Sequence, residues 1–204
     1  AFIKRAAMVN MPFALKGSLL TRQYFKHPEK REVYDMDWLY MDKTLEQDYA
    51  KIFTDWMTKV TETKLNDGVE FISFKENTFF RRIDYAMADD FPTVNTDIGY
   101  LFTVENRESK DYEEIQVDIS FNLDIGMDSV TLLYKPVVGE AFVVPDTIPL
   151  PVQIAWKLHQ TVIRPRFKDL YDLKYLISNH TFSEEDIKNT LQVLVNECTV
   201  DKMV

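Results

Sequence analysis

The chain of 204 residues contains few cysteines, histidines and glycines, and each scarcity excludes a class of site. Its one cysteine, Cys198, excludes an intramolecular disulfide and a cysteine-based zinc site, and it fits a reducing compartment. The three histidines are scattered and form no pair with metal-ligand spacing. Glycine occurs five times, and no glycine-rich phosphate loop of the Walker or dinucleotide-binding type is present.

Long hydrophobic runs are also missing from the sequence. No stretch approaches the roughly 18 apolar residues that a transmembrane helix requires. Lys4 and Arg5 precede an apolar run, as in a secretory signal, but Asn10 and Pro12 interrupt that run and no small-residue cleavage pattern follows. We therefore expect a cytoplasmic protein that does not bind membranes.

Negative charge dominates the composition, but its distribution is uneven. The net charge is −9, which opposes general affinity for a polyanion. Residues 1–31 nevertheless contain seven Lys or Arg against one acid, and residues 154–168 contain four and no acid. Chance clustering on solvated surfaces explains either segment alone. Because the two segments flank the carboxylate motifs, we favour a cleft that binds phosphate groups.

The hydrophobic pattern predicts an α+β fold, and 46% hydrophobic residues suffice for a sizeable core. Strands are predicted near 13–16, 33–40, 69–74, 98–105, 114–123 and 130–138. Helices are predicted near 18–25, 44–64, 151–163, 167–178 and 183–197, with Ser18, Thr44 and Ser183 as N-caps. Prolines at 145, 149 and 151 mark a boundary. We predict an α+β core over residues 1–144 and a helical C-terminal part over residues 145–204.

Asp35 and Asp37 are the first candidate metal ligands. Residues two apart on a strand face the same side, so both carboxylates project together. Close carboxylates repel one another unless a cation lies between them, and Mg²⁺ favours such oxygen ligands. Two solvent-facing acids on an edge strand are the alternative. Bulky apolar neighbours at 33–39 indicate a largely buried strand and favour the metal site.

Two further features are compatible with phosphate chemistry but do not require it. Lys16, Gly17 and Ser18 lie at a predicted strand-to-helix turn, where free backbone N–H groups can bind a phosphate. A plain turn glycine followed by a cap is the alternative. Asp118 lies opposite the apolar face of the alternating strand 115–121, so it faces either solvent or a cleft.

A second acidic pair lies in the predicted helix over residues 167–178. Asp169 and Asp172 are separated by about 60° around the helix axis, with Leu176 between them. Acids that share a face with a core leucine need cationic partners, and Lys157 or Lys168 could supply them. The pattern alone fits a salt-bridge cluster between helices as well as it fits catalysis.

Taken in order, these motifs resemble the AbiEii/AbiGii abortive-infection toxins, which have the polymerase-β-like nucleotidyltransferase fold. The resemblance runs from about residue 12 to residue 178 and rests on the following segments: Lys16-Gly17-Ser18, Arg31-x-x-x-Asp35-Met36-Asp37, a strand acid, Ala155-Trp156-Lys157-Leu158-His159, and Lys168-Asp169-Leu170-Tyr171-Asp172-Leu173. The chain departs from the family pattern in having Ser18 in place of a second glycine and Val33 in place of a hydroxyl residue.

The resemblance implies a nucleotidyltransferase-like mixed β-sheet with flanking helices and a metal-dependent enzyme. It implies transfer of a nucleoside monophosphate from a nucleoside triphosphate (NTP) to RNA such as tRNA, by a toxin that a cognate antitoxin restrains. The metal, Mg²⁺ or alternatively Mn²⁺, would be held by Asp35, Asp37 and Asp118. The nucleotide would be bound by Lys16, Gly17, Ser18, Lys157, Lys168 and Asp169, and the catalytic set would add Lys157 and Asp172 to the three metal ligands.

Five basic residues are candidates to bind the RNA backbone: Arg22, Lys26, Arg31, Arg164 and Arg166. Three other functions remain open at this point. The chain could be a regulatory protein that binds nucleotide without turnover. It could also be a different Mg²⁺ enzyme acting on sugar nucleotides or phosphate esters, or a structural α+β domain whose acids are ion-paired.

Overall fold

The computed structural model describes residues 1–75, 92–103 and 112–200, together with the backbone of residues 81–83. These residues form eight strands and six α-helices. The strands are β1 (Phe13–Lys16), β2 (Asp35–Tyr40), β3 (Val69–Phe71), β4 (Arg81–Ile83), β5 (Thr93–Phe102), β6 (Glu113–Ser120), β7 (Val130–Tyr134) and β8 (Phe142–Thr147). The helices are α1 (Phe2–Met8), α2 (Gly17–Thr21), α3 (Tyr49–Glu62), α4 (Leu150–Ile163), α5 (Phe167–Asn179) and α6 (Glu184–Val200).

All eight strands belong to one mixed sheet, in the order β3-β5-β6-β2-β1-β8-β7, with β4 paired to β5. Strand β2 lies near the centre, antiparallel to β1 and parallel to β6. Strand β8 runs parallel to β1 on the other side, and β7 closes that edge antiparallel to β8. The mixed sheet and its flanking helices confirm the predicted fold class.

The core lies mainly on the face of the sheet that α1 and α3 cover. Trp38 of β2 packs against Phe2 of α1 and Trp56 of α3, with ring centroids 6.4 and 5.1 Å away. Because side chains alternate along a strand, the neighbours Asp35 and Asp37 lie on the opposite face. Residues of α4, α5 and α6 line a cavity together with these two acids, so β2 presents its acids to the C-terminal helices.

Most predicted elements are confirmed, but two helix starts are wrong. Helix α3 begins at Tyr49 rather than at Thr44, because the side-chain amide of Asn122 holds the backbone N–H and C=O of Thr44 in a loop. Helix α2 begins at Gly17, so Ser18 lies inside it and is not its N-cap. The prediction for Ser183 is confirmed, since its hydroxyl accepts from Asp186 N–H and Asp186 accepts in return.

Strand β8 and helix α1 were not predicted from the sequence. Pro145 lies within β8 next to a register irregularity opposite Val130 and Leu132, a place where a missing N–H is tolerated. Helix α1 buries Arg5, which forms an ion pair with Asp67 at 2.6 Å. The end of the strand predicted near 98–105 and the last four residues of the predicted C-terminal part lie outside the described ranges. Among the helices described, none is both long and apolar enough to cross a membrane.

Candidate active site

A cavity of about 320 Å³ separates the acidic face of β2 and β6 from the C-terminal helices. Strands β1, β2 and β6 and helix α2 form one side of it, and α4, α5 and α6 form the other. Most residues predicted for the site line this cavity, namely Lys16, Gly17, Ser18, Asp35, Asp37, Asp118, Lys157, Arg164, Arg166, Lys168 and Asp169. The fold therefore brings together residues that are up to about 150 positions apart in the sequence.

Three carboxylates meet in this cavity. Asp35 and Asp37 project from the same face of β2, and the parallel register of β2 and β6 sets Asp118 directly opposite Asp37. One carboxylate oxygen from each residue lies within 4.8 Å of the others. The strand spacing and the register of the sheet therefore place the cluster, without help from any loop.

Burial, with a smaller contribution from the neighbouring charge of Asp37, raises the pKa of two of these acids. Burial raises the pKa of Asp35, the nearby charge of Asp37 raises it further, and Lys168 acts in the opposite direction. Burial also raises the pKa of Asp118, although hydrogen bonds from Asn95 and Gln116 favour its charged form. These carboxylates thus lie in an environment that disfavours their charged forms. A bound cation would favour the charged forms instead.

The donor set fits a hard divalent cation. It consists of three carboxylates, and oxygen ligands of this kind suit Mg²⁺ or Mn²⁺ and leave coordination positions for substrate phosphates. The raised pKa values of Asp35 and Asp118 agree with this fit, because burial disfavours their charged forms and a bound cation would favour them. Lys16 Nζ lies 3.8 Å from Asp37, too far for a strong hydrogen bond.

Asn95 of β5 holds Asp118 in place, and the sequence did not indicate this role. Asn95 is fully buried and donates to Asp118 Oδ1 at 2.6 Å. Gln116 Nε2 donates to both oxygens of the same carboxylate at 3.2 Å. The predicted strand near 98–105 began after Asn95, so only the register of β5 with β6 identifies this contact.

Gly17 allows the turn before α2 to approach Asp37 closely. Its backbone has a φ of +70°, a region that favours glycine. A Cβ atom at this position would lie 1.9 Å from Asp37 Oδ2. Glycine is therefore required here twice, once for its backbone conformation and once to leave room for a carboxylate of the acidic cluster.

Asp172 is fully buried and does not line the cavity. It accepts a forked pair of hydrogen bonds from Arg31, at 2.8 and 3.1 Å, and a third bond from Lys157 Nζ at 2.8 Å. Burial opposes ionisation, but the bonds from Arg31 and Lys157 keep the pKa of Asp172 below its usual value. Arg31 also donates to the hydroxyl of Ser18 at 3.2 Å. Asp172 thereby connects α5 to α4 and to the segment before β2.

Asp169 and Lys168 occupy different positions at the cavity wall. Asp169 is buried, accepts from Arg166 Nε at 2.6 Å and lies 3.7 Å from Lys157 Nζ. Lys168 is exposed, and its charge is close enough to Asp35 to oppose the rise in the pKa of that acid. Lys157 thus contacts both acids of α5, as the sequence pattern suggested.

The five basic residues predicted to bind RNA separate into two groups. Arg164 and Arg166 line the cavity, close to the start of α5. Arg22, Lys26 and Arg31 do not line it. The guanidinium of Arg31 is engaged by Asp172, so the structure gives it a contact within the protein rather than a free surface.

Several cavity-lining residues were given no functional role in the sequence analysis. Gln153 and Trp156 of α4 line the wall, and Trp156 Nε1 donates to Glu197 of α6 at 2.9 Å. Buried His159 lies 4.0 Å from the same glutamate. The helix predicted near 151–163 includes these α4 residues, but no local pattern indicates that α6 completes the wall.

Comparison with known protein families adds an independent finding. The family model described as nucleotidyl transferase AbiEii toxin, type IV toxin–antitoxin system, matches residues 11–199. The match covers every residue of the acidic cluster and all of the C-terminal helices except the last residue of α6. No curated protein matched the chain.

Proposed function

Because the chain belongs to the AbiEii nucleotidyl transferase toxin family, we propose that it transfers a nucleoside monophosphate from an NTP to RNA in a Mg²⁺-dependent reaction. Family membership by itself implies a nucleotidyltransferase toxin with a nucleotide substrate and a cognate antitoxin. The observation that carries the finer proposal is the group of three carboxylates, whose oxygens lie within 4.8 Å of one another at the cavity floor.

We assign the metal to Asp35, Asp37 and Asp118. The chemistry that bound Mg²⁺, or Mn²⁺ in its place, would supply is neutralisation of negative charge on the phosphates. The protein's contribution is to hold the three carboxylates rigidly. Gly17 lets the turn before α2 pack against Asp37, and Asn95 and Gln116 fix the carboxylate of Asp118.

The triphosphate is assigned to the turn before α2 and to the lysines opposite. Backbone N–H groups at Gly17 and Ser18 lie at the strand-to-helix turn, where they can donate hydrogen bonds to an anion. Lys168 is exposed at the cavity and free to turn toward a phosphate. Lys157 lies deeper and would bridge phosphate to its present partners Asp169 and Asp172.

The transfer step requires an in-line arrangement of acceptor, phosphorus and leaving group. The acceptor hydroxyl oxygen forms a bond to the α-phosphorus, the bond from that phosphorus to the bridging oxygen breaks, and pyrophosphate leaves. We assign the hydroxyl proton to Asp118, the carboxylate that lies opposite Asp37 in the register of β2 and β6. Gln116 and Asn95 hold that carboxylate in one orientation while the proton is transferred.

Asp172 is a positioning residue in this proposal. Since it is fully buried and does not line the cavity, it does not touch substrate. It holds Lys157 from one side and Arg31 from the other, and Arg31 in turn bonds to Ser18. Asp172 would thereby set the position of Lys157 and, through Arg31, that of Ser18, the two residues that contact the nucleotide in this proposal.

RNA is the acceptor we propose, with tRNA as the first choice. Arg164 and Arg166 line the cavity on the side of α5, where they can attract a phosphate backbone toward the carboxylates. A reaction that consumes NTP and RNA takes place where both are made, so we propose a cytoplasmic location.

The proposal is tested by incubating purified protein with Mg²⁺, total tRNA and each of the four α-labelled NTPs in turn. We expect label on tRNA with one or more nucleotides and no label without Mg²⁺. Omitting tRNA is the control for label transferred to the protein itself. Thermal stabilisation by NTP and Mg²⁺ without any labelled product would instead indicate a regulatory protein that binds nucleotide.

A further inference from the structure

Strand β7 forms one edge of the sheet. It pairs antiparallel with β8 on one side, and among the described residues no strand lies on its other side. Proteins usually protect such an edge with proline, charged side chains or a bulge, because its free N–H and C=O groups can pair with another strand. The sequence of β7, Val-Thr-Leu-Leu-Tyr, contains no proline and no charge, and the extra residue at the register irregularity belongs to β8. Strand β7 is therefore an edge open to a further strand.

The main-chain groups of Thr131 and Leu133 point away from β8. The C=O of Val130 accepts a hydrogen bond from a hydroxyl of β8 at 2.7 Å, so Val130 directs its main chain toward β8. Because this direction alternates along an antiparallel strand, Thr131, Leu133 and Lys135 direct theirs outward. Lys135 agrees with the alternation, since its N–H donates to the side chain of Gln23 at 2.8 Å. That bond satisfies the N–H of Lys135 and leaves the groups of Thr131 and Leu133 at the open edge.

Apolar side chains accompany the open edge. Leu133 is 55% exposed, and Val143, which lies opposite it on β8, is 56% exposed. Val130 is exposed as well. Paired residues of neighbouring strands share a face of the sheet, so Leu133 and Val143 form one apolar surface that reaches the edge. The edge thus offers hydrogen-bonding groups and apolar side chains together.

We propose that β7 pairs with β7 of a second copy of the chain, antiparallel about a two-fold axis at Leu132. Each copy then uses the same surface, as in most dimers with two-fold symmetry. Leu132 lies opposite Leu132 of the second copy, and Thr131 of each copy lies opposite Leu133 of the other. Each of these Thr131–Leu133 pairs exchanges both of its main-chain hydrogen bonds, because the outward groups of β7 belong to these two residues. The two sheets become one continuous sheet.

The side chains in this register complement one another. Val130 lies opposite Tyr134 of the second copy, so the aromatic ring covers an exposed valine. Leu133 gains the methyl group of Thr131 beside it. Such cross-strand pairs between aromatic, aliphatic and β-branched residues are the units that stabilise a sheet. Both exposed apolar residues of β7 are therefore covered by the same pairing.

Charge complementarity selects the register and favours a second copy as the occupant. With Leu132 on the axis, Lys135 of one copy lies opposite Ser129 of the other. The hydroxyl of Ser129 donates to Asp146 at 2.6 Å, so a carboxylate lies beside the arriving ammonium group. The two-fold axis repeats this ion pair at the other end of the paired strands. A shift of two residues in either direction would place Lys135 opposite Met127 or Thr131, and neither of these bonds to a described acid.

The contact is small, so the dimer should be weak. A pair of five-residue edges buries less than the roughly 1,600 Å² of a standard interface, and we expect a Kd in about the micromolar range. The residues described at the active-site cavity include none from β7. Self-association therefore stands independently of the proposed function, and variants of β7 should transfer nucleotide at the wild-type rate per chain.

The first test measures self-association of the full chain by sedimentation equilibrium, together with amide hydrogen exchange by NMR in dilute and concentrated samples. We expect a monomer–dimer equilibrium. The amide protons of Thr131 and Leu133 should exchange more slowly in the concentrated sample, because pairing covers them. The amide proton of Leu132 is the internal control, since its bond to β8 should protect it equally in both samples.

The second test uses matched variants. Leu133→Lys should raise the dimer Kd about tenfold or more, because each dimer contains the change twice. Val143→Lys is the control, since it makes the same kind of change at an equally exposed residue of the same face, one strand away from the edge. Lys135→Glu and Asp146→Lys should each weaken the dimer. The double variant should restore it, because the exchanged charges again attract one another.

Three results would overturn the inference. The first is a wild-type chain that stays monomeric at every concentration, which would leave the edge to a strand of a different protein. The second is exchange at Thr131 and Leu133 that does not depend on concentration. The third is equal weakening by Leu133→Lys and Val143→Lys together with no rescue in the charge-exchanged double variant, which would place the contact on the apolar face rather than at the edge. Thermal melts of each variant confirm that the chain is folded.

Discussion

Gly17 lies so close to Asp37 that a single added carbon would disturb the acidic cluster. We expect Gly17→Ala to abolish nucleotide transfer, because its Cβ would displace the carboxylate of Asp37. Gly126→Ala is the matched control, since Gly126 has a similar φ of +65° and no described atom within 4 Å of the added carbon. That variant should lose about 1–2 kcal/mol of stability from its backbone conformation alone and keep its activity. Transfer rates and urea unfolding of both variants decide the question.

The raised pKa values of Asp35 and Asp118 determine how the metal-free protein responds to pH. A carboxyl whose pKa rises on folding binds its proton more tightly in the folded state than in the unfolded chain, where it titrates near 3.8. The metal-free protein should therefore lose stability as pH rises from about 3.8 through the raised pKa values. Divalent cations should restore that stability, because they bind the charged carboxylates.

Asp35→Asn tests this balance at neutral pH. The substitution removes a repelled, partly buried charge, so we expect the metal-free protein to melt at a higher temperature, by about 2–4 °C for each 1 kcal/mol of relieved repulsion. The same variant should lose the stabilisation that Mg²⁺ gives to the wild type. Asp42→Asn, at an exposed acid just after β2, is the control and should change neither quantity. A lower melting temperature in Asp35→Asn without metal would show that the cluster is not strained.

Asn95 is a positioning residue, and its loss should weaken the binding of the metal. Without its 2.6 Å bond, Gln116 is the one remaining side chain among the described residues that donates a hydrogen bond to the carboxylate of Asp118. We expect Asn95→Ala to raise the Mg²⁺ concentration for half-maximal activity roughly tenfold to a hundredfold, the usual effect of removing such support. Thr93→Val is the control, because Thr93 pairs with Ser120 between the same two strands and lies outside the acidic cluster. Equal loss in both variants would indicate a structural role only.

At the scale of elements, Asp172 joins α5 to α4 and to the segment before β2. Asp172→Asn would leave Arg31 and Lys157 without their shared anion, so we expect a loss of about 3 kcal/mol and a melting temperature lower by roughly 10 °C. Its pKa is held below 3.8, so in the wild type this contribution is present above that pH and lost as pH falls through the lowered value. Thermal melts between pH 2 and pH 7 measure it.

Asp128 is exposed, so Asp128→Asn serves as the control for removal of one negative charge. It should change the free energy of unfolding by no more than about 0.5 kcal/mol. If Asp172→Asn behaved like that control, the buried network would have no stabilising role.

Elements with a strong local pattern could be predicted from the sequence, and those defined by tertiary contacts could not. The alternation in β6 and the spacing of Asp35 and Asp37 are properties of neighbouring residues. Strand β8 was missed because Pro145 normally ends a strand, and its pairing at a register irregularity is visible only in the sheet. Helix α1 was missed because the partner of Arg5, Asp67, lies about 60 residues away in sequence.

The candidate site shows the same division. Local motifs predict Gly17, Asp35 and Asp37 as site residues. The strand alternation predicts which face carries Asp118, but it leaves open whether that face meets solvent or a cleft. The register Asp37 to Asp118 resolves that choice in favour of the cavity. Asn95 and Glu197 carry no motif, because each acquires its position only when β5 pairs with β6 and when α6 packs against α4.

At the scale of the whole molecule, the negative net charge contrasts with a group of cations at the cavity. A net charge of −9 keeps RNA from binding indiscriminately, whereas Arg164, Arg166 and Lys168 lie at the cavity. The three carboxylates lie on the sheet side of that cavity together with Lys16, and most of its cations lie on the helix side together with Asp169 and Glu197. A triphosphate with its metal is the kind of ligand that such a cavity accommodates, because the metal can face the three carboxylates while the phosphates face the cations.

The most direct measurement compares the rate of label transfer from an α-labelled NTP to tRNA by the wild type, Asp37→Asn and Asp42→Asn. Asp37 belongs to the acidic cluster, whereas Asp42 is exposed beyond the end of the same strand. Each substitution replaces one carboxylate by an amide, so the two changes are chemically equal and differ only in location. We expect Asp42→Asn to transfer at the wild-type rate and Asp37→Asn to lose at least a hundredfold, on the order of what removal of one key electrostatic group in an active site costs. Equal rates for all three proteins would contradict the assignment of the metal-binding carboxylates.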